Sequence, residues 1–204
     1  MYKFPVIVFE GIEASGKSTN LNIAVKYLKK NKKNFIKLRE PGGSSFSEQI
    51  RKLLLNKRFN LVNKTDLMLF YAARSENFEK IIKKNHQKKI ILIDRFTDST
   101  LAYQHFGMKI DLNIIKILNK FIIGTFKPDI TFLSTVNLIN LKKRLKNRSK
   151  LNRYDKFKLN FYSKVQKGYY KISKKSRNYV IIDSNKKNTN EVKKLIINKL
   201  EKII

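Results

Sequence analysis

The amino-acid sequence predicts an α/β fold, a five-stranded parallel sheet flanked by helices. Three observations carry that expectation. Five short runs rich in Val, Ile, Leu and Phe recur along the 204 residues. Amphipathic segments separate them, and a glycine-containing turn joins the first run to the first such segment. Strands that alternate with helices imply a parallel sheet.

The first run, residues 3–10, leads into Gly11-Ile12-Glu13-Ala14-Ser15-Gly16-Lys17-Ser18. This matches G-x4-G-K-[ST] in the strand–turn–helix context that defines a P-loop. Its glycines let backbone N–H groups wrap phosphates, Lys17 reaches the β/γ-phosphates, and Ser18 ligates Mg²⁺. The helix that starts at Lys17, with Thr19 in its first turn, adds a positive dipole end. Residues 11–19 are therefore the expected ATP-binding set. A P-loop fixes the nucleoside triphosphate but not the reaction, because GTPases, ATPases, helicases and small-molecule kinases share it.

The second run, 35–39, ends at Arg39 and turns through Glu40-Pro41-Gly42-Gly43. Ligands of parallel sheets sit beyond the carboxyl ends of strands, so Arg39 is placed to meet an anion. A surface arginine beside a turn is the alternative. Phe70 and Arg74 lie four apart on one helix face. They offer a stacking ring and a hydrogen-bonding fork for a base, or merely a core ring beside a surface cation.

The third run, 90–94, ends Asp94-Arg95. An Asp at the tip of a buried strand is a Walker-B-like arrangement that could bind Mg²⁺ directly or through water. Arg95 would bring a planar fork to phosphoryl oxygens; a structural ion pair is the alternative. Runs 130–134 and 179–183 complete the sheet, and all five are expected to be buried on both faces. Ile114, Ile115, Leu118, Phe121 and Ile122 share one helix face, as do Val192, Leu195, Ile196, Leu200 and Ile203. Residues 142–158 are dense in charge and read as a mobile surface element or as helix ends around a flexible loop.

Forty-six Lys and Arg against 15 Asp and Glu give a net charge of +31, which raises a nucleic-acid partner. The excess is mainly Lys, in a chain rich in Asn and Ile, without Trp or Cys and with 7 Gly. A-rich and T-rich codons give that profile, so surface Lys need not reflect selection for binding. No aromatic strand-binding platform is identifiable, and no specific nucleic acid is expected. A nucleic-acid-stimulated ATPase and a different nucleotide kinase remain the rival readings. A non-catalytic P-loop protein is opposed by Lys17, Ser18, Asp94 and Arg95. The absence of Cys excludes disulfides, thiol chemistry and Cys-based zinc sites. No apolar run approaches the ~18 residues of a membrane span, and residues 6–9 are too short for a secretory signal. The expectation is one cytoplasmic domain over residues 1–204 with no membrane partner. Neither His86 nor His105 is assigned a role.

Taken in order, several blocks resemble the thymidylate kinase family in its bacterial form. They are Phe9-Glu10-Gly11-Ile12-Glu13, Leu38-Arg39-Glu40-Pro41-Gly42-Gly43-Ser44 and Glu48-Gln49-Ile50-Arg51. They continue with Leu69-Phe70-Tyr71-Ala72-Ala73-Arg74, then Asp94-Arg95 with Asp98-Ser99-Thr100-Leu101-Ala102-Tyr103-Gln104, and Pro128-Asp129-Ile130-Thr131. The resemblance implies a P-loop NTPase fold of the nucleoside monophosphate kinase type. It implies transfer of the γ-phosphate of ATP to dTMP with Mg²⁺, in dTTP biosynthesis, by a homodimer. It implies that Phe70 stacks on thymine, Arg74 bonds its carbonyl edge, Thr100 lies near the base and Gln104 lines the pocket. Tyr103 would pack under the deoxyribose, where a 2′-hydroxyl would otherwise go. Arg39 and Arg95 would hold the dTMP phosphate, Asp94 would organise Mg²⁺ and that phosphate, and Glu13 would act near the acceptor sugar or phosphate.

The bacterial form lacks an arginine in the P-loop and supplies it from a lid, here about residues 142–155. Arg148 is the first choice for the arginine that reaches the transferring phosphoryl group, with Arg144 and Arg153 as alternatives. Two departures stand out. The fourth strand ends Leu133-Ser134-Thr135-Val136 without the family's usual carboxylate, and Asn152 replaces the usual lid Asp.

Overall fold

Five parallel strands form one sheet in the order β2-β3-β1-β4-β5, in a computed structural model that describes residues 4–149 and 151–204. Lys3 of the expected first strand and Lys150 of the expected lid lie outside the described residues. β1 (Val6–Gly11) is central, between β3 (Ile90–Asp94) and β4 (Ile130–Thr135); β2 (Phe35–Arg39) and β5 (Tyr179–Asp183) form the edges. β1 starts later than expected, and both β1 and β4 run one residue further at their C-terminal ends. The register sets Arg39 and Phe9 beside Asp94 and Gly11 beside Ser134. Strand ends that carry functional side chains are thereby aligned along one edge of the sheet.

Burial on both faces holds for β1, β3 and β4 but not for the edges. Lys37 on β2 and Ile181 on β5 are exposed. An edge strand has a neighbour on one side only, so the helical layers cover it incompletely.

Alternate residues of β1 feed opposite layers, as the two-residue strand period requires. Ile7 and Phe9 pack with α1 (Lys17–Lys30) and α9 (Thr189–Glu201) through Leu21, Leu28, Ile196 and Leu200. Phe9 stacks on Phe132 at 5.1 Å. Val6 and Val8 face Ile82, Phe96 and Ile123 on the other side. α9 opens with a reciprocal cap between Asn188 and Glu191, and the face from Val192 to Ile203 packs as its periodicity predicts.

α2 (Ser45–Leu55) is capped by Ser44 Oγ, which accepts the Ser47 N–H at 3.1 Å. α3 (Asn63–Asn77) runs through a π-helical turn (Phe78–Ile82) into α4 (Lys83–Asn85). α5 (Thr97–Thr100) likewise runs into a π-helical turn, Leu101–Gly107.

α6 (Leu112–Ile123) corrects one expectation. Ile115 is buried, and Leu118 and Ile122 pack against Leu67 and Tyr71 of α3. Ile114 and Phe121 are exposed, Phe121 by 85%, and share a second stripe with exposed Ile117. Residues 114, 117 and 121 lie about 100° around the helix from 115, 118 and 122. Helical periodicity alone does not say which stripe this chain covers.

The charged region, residues 142–158, holds the C-terminal half of α7 (Leu138–Lys146) and a 3₁₀ turn (Arg153–Lys156), and α8 (Leu159–Ser173) starts directly after it. Tyr154 of this region and Tyr162 of α8 are buried in a cluster with Ile12, Tyr103 and Tyr169. Among the described residues no helix is long and apolar enough to cross a membrane.

Candidate active site

The strand tips open into a cavity of about 730 Å³. On its floor the P-loop takes a backbone path that few side chains allow. Gly16 has φ +93° and Gly11 φ +142°, and a Cβ on Gly11 would lie 2.3 Å from the Ser134 carbonyl oxygen. Lys17 is buried and donates to the Asp94 carboxylate. Burial pushes the Lys17 ammonium below its ordinary value, helped by Arg95 and opposed by Asp94. Burial also penalises the Asp94 carboxylate, but the Lys17 charge, its hydrogen bond and Arg95 together hold it below the usual range. Ser18 and Thr19 line the same floor and are exposed to it.

Arg95 follows at φ +68°, a region that non-glycine residues rarely occupy and that clusters at functional sites. Its Nη2 donates to Glu13 Oε1 at 3.1 Å. Its Nη1 donates to Ser99 Oγ at 3.2 Å and to the Tyr169 hydroxyl at 3.3 Å. The guanidinium sits 5.2 Å from the Tyr103 ring centre, and the Tyr103 hydroxyl donates to Glu13 Oε2 at 2.5 Å. Glu13, Arg95 and Tyr103 thus form one cluster.

Arg39 lines the cavity with about half its side chain exposed. It grips Glu48 through Nε at 3.2 Å and Nη2 at 2.8 Å. That grip, with the Gly43 N–H, holds the Glu48 carboxyl below its ordinary value against modest desolvation. Gly42 is required here: its φ is +119°, and a Cβ would lie 2.5 Å from Glu48 Oε1.

Arg74 is no surface cation. It is 1% exposed, with Nε on Glu40 Oε2 at 2.7 Å and Nη2 on the Phe96 carbonyl at 3.0 Å. Its Nη1 and the buried Thr100 hydroxyl have no hydrogen-bond partner. Both side chains line the cavity with Phe70, Tyr103 and Gln104. Buried polar groups are nearly always satisfied, so these two mark where a ligand's polar edge would lie. Gln104 is oriented by donating to Asp66 Oδ2 at 3.0 Å.

The three basic candidates of the lid region separate. Arg148 lines the cavity, is 44% exposed, and pairs with Asp155 at 2.5 Å. Arg144 donates to the Ala14 carbonyl at 3.0 Å and to Ser184, which braces the P-loop. Arg153 does not line this cavity; it donates to the Leu54 carbonyl at 2.8 Å and to Asp66. Asn152 and Asp155 cap the 3₁₀ turn reciprocally, so the Asn in place of Asp has a structural use. At the β4 tip the Ser134 hydroxyl accepts from Asn20 at 2.9 Å.

Glu10, Glu40 and Arg51 stand within the sequence's motif blocks without an assigned role, and Asp66 is not singled out there. Arg51 lines the cavity and holds the Pro41 carbonyl at 2.7 Å. Burial, then the Asp98 charge, pushes the Glu10 carboxyl up to about 7. A carboxylate inside an apolar strand was the available signal for Glu10, the same one that exposes Asp94. His105 bonds the Ile110 carbonyl through Nδ1 and His86 packs on Phe126, both outside the cavity.

A phosphate-cradling loop, a second group of arginines around Asp94 and an adjoining pocket for a flat polar ring define a P-loop nucleotide phosphotransferase. The family model for thymidylate kinase matches residues 9–196. The chain is 38% identical over 195 residues to the thymidylate kinase of Thermosipho africanus, covering 93% of this chain and 96% of that one. It is 40% identical over 182 residues to that of Ehrlichia chaffeensis, covering 87% of each. The crystal structure of thymidylate kinase from Ehrlichia chaffeensis aligns with a TM-score of 0.76 at 36% identity, across 97% of this chain and 98% of that one. The chain belongs to the thymidylate kinase family, enzymes that phosphorylate dTMP to dTDP.

Proposed function

We propose that this chain moves the γ-phosphoryl group of ATP onto the phosphate of dTMP, with the base pocket built on Phe70, Arg74, Thr100 and Gln104. The observation that carries this reading is the pair of buried, unpartnered donors, Arg74 Nη1 and Thr100 Oγ1, beside an aromatic ring. A pyrimidine carbonyl edge would satisfy them. Tyr103, held by Glu13, closes the pocket below the sugar.

Residues 11–19 cradle the triphosphate of ATP through backbone N–H groups, Lys17 and the dipole end of α1. Arg39 and Arg95 hold the acceptor phosphate. The donor set suits Mg²⁺: a carboxylate kept ionised, Asp94, and a hydroxyl, Ser18, line the same floor. The ion supplies charge neutralisation of the phosphates when bound. Phosphoryl transfer needs positioning and charge stabilisation more than covalent help. The acceptor is already an anion, so the obstacle is repulsion between two polyanions, which Lys17, Arg39 and Arg95 reduce. Residues 142–155 act as a lid, with Arg148 as the arginine for the transferring group and Arg144 as the P-loop brace. Closure would keep water from competing as acceptor.

ADP production from Mg·ATP against a panel of nucleoside monophosphates and nucleosides tests this. Rapid, selective turnover with dTMP is expected, and preference for another acceptor would overturn the base and sugar contacts. The exposed stripe Ile114, Ile117 and Phe121 on α6 is the surface for a homodimer. Sedimentation equilibrium should read twice the 24.1 kDa chain mass, falling to the monomer mass in Phe121→Glu; a monomeric parent protein overturns the dimer.

A further inference from the structure

Glu10 is fully buried at the end of β1 and does not line the cavity. Its Oε1 accepts the backbone N–H groups of Phe96 at 2.8 Å and Ser99 at 3.2 Å. Its Oε2 accepts the Ser99 hydroxyl at 2.6 Å and the Tyr169 hydroxyl at 3.0 Å. Those two hydroxyl oxygens lie 2.7 Å apart, and both accept from Arg95 Nη1.

Proton direction in this cluster is determined by chemistry. A guanidinium brings donors only, and each hydroxyl has one proton. Both hydroxyl oxygens must therefore face Arg95 with lone pairs, and both protons must point away from it. The contacts give the run of protons: Ser99 donates to Glu10 Oε2, and the one Tyr169 proton points to Glu10 Oε2 or to Ser99 Oγ, away from Arg95 in either case. A carboxylate, which only accepts, terminates that run. No solvent reaches Glu10 to take its place.

We infer that Glu10 is a positioning residue for the acceptor phosphate: its carboxylate orients the Ser99 and Tyr169 hydroxyls, and they aim Arg95. This rests on the reading of Arg95 as a dTMP-phosphate ligand. A Gln at this position keeps its carbonyl oxygen toward the two backbone N–H groups, which forces its amide donors toward Ser99 Oγ. The run then reverses and turns a hydroxyl proton on Arg95.

The test is steady-state kinetics at about pH 8, where a carboxylate of this kind is ionised. Glu10→Gln should raise KM for dTMP by about tenfold or more, the scale of a hydrogen bond to a charged group, with KM for ATP unchanged. In a background of Ser99→Ala with Tyr169→Phe, the same substitution should add less than about twofold, because coupled residues are non-additive. Full multiplication of the two effects, or an unchanged KM for dTMP, overturns the inference. Should Glu10→Gln not fold, Tyr169→Phe alone, which leaves the carboxylate in place, should raise KM for dTMP severalfold, and no change overturns the inference. Arg95→Lys separates the two layers. If it leaves KM for dTMP unchanged, the reading of Arg95 itself fails. If it raises KM while Glu10→Gln does not, only the role of Glu10 fails.

Discussion

Lys17 on the floor of the cavity is buried and bonded to Asp94 on the neighbouring strand, whereas Arg148 in the lid region keeps 44% of its side chain exposed and pairs with Asp155, seven residues on. The floor is built from long-range contacts: Lys17 to Asp94, Arg95 to Glu13, Arg74 to Glu40. Each of these cations has a carboxylate partner, and the sheet register fixes Asp94 beside Phe9 and Arg39. In the lid region a cation at the cavity is matched locally, and its partner Asp155 is also the cap of a short turn. The difference teaches that preorganised charge and adjustable charge are divided between two parts of one site. On the proposed mechanism, electrostatic help that costs no reorganisation comes from the floor, and Arg148, exposed and paired only with Asp155, is the cation that would meet the transferring phosphate.

This contrast has graded consequences. Lys17→Ala should have the largest effect, a loss of about 10³ in kcat, since it removes the proposed phosphate ligand and takes the ion-pair partner from the partly buried Asp94 carboxylate. A loss under about tenfold would break the idea of a preorganised floor. Arg148→Ala should lower kcat by about 10² with little change in KM for dTMP, the signature of a contact made mainly in the transition state. Equal loss in both parameters would remove Arg148 from that role. Arg153→Ala should have the smallest effect on chemistry. Its contacts are with Asp66 and the Leu54 carbonyl, so thermal stability should fall by about 1–3 kcal/mol as the buried Asp66 carboxylate loses its cation and keeps only the Tyr154 and Gln104 hydrogen bonds, with kcat changing only severalfold. A kcat loss larger than that of Arg148→Ala would reverse the lid assignment.

The floor was far more legible in the sequence than the lid. G-x4-G-K-[ST] specifies a local backbone path, and an Asp at the end of the run Ile90–Asp94 needs only the strand to be placed. Phe70 and Arg74 were legible as a pair, but the burial of Arg74 was not, because Glu40 reaches it from 34 residues away. The lid offered several similar cations in one stretch. Nothing in their order says that Arg144 meets the P-loop, that Arg148 meets Asp155 or that Arg153 meets Asp66, because two of those three partners are 87 or more residues distant. α6 shows the same limit in apolar form: two stripes, one covered and one bare.

Composition, strand–helix alternation and the motif blocks therefore determined the fold class, the backbone path of the glycine loop and the family, since each depends on residues adjacent in the chain or on local periodicity. Tertiary structure alone decided which charges are matched, which donors remain free for a ligand, and that Glu10 stands behind Arg95. Those outcomes depend on desolvation and on hydrogen-bond direction among groups that only the folded sheet brings within 3 Å or so of one another.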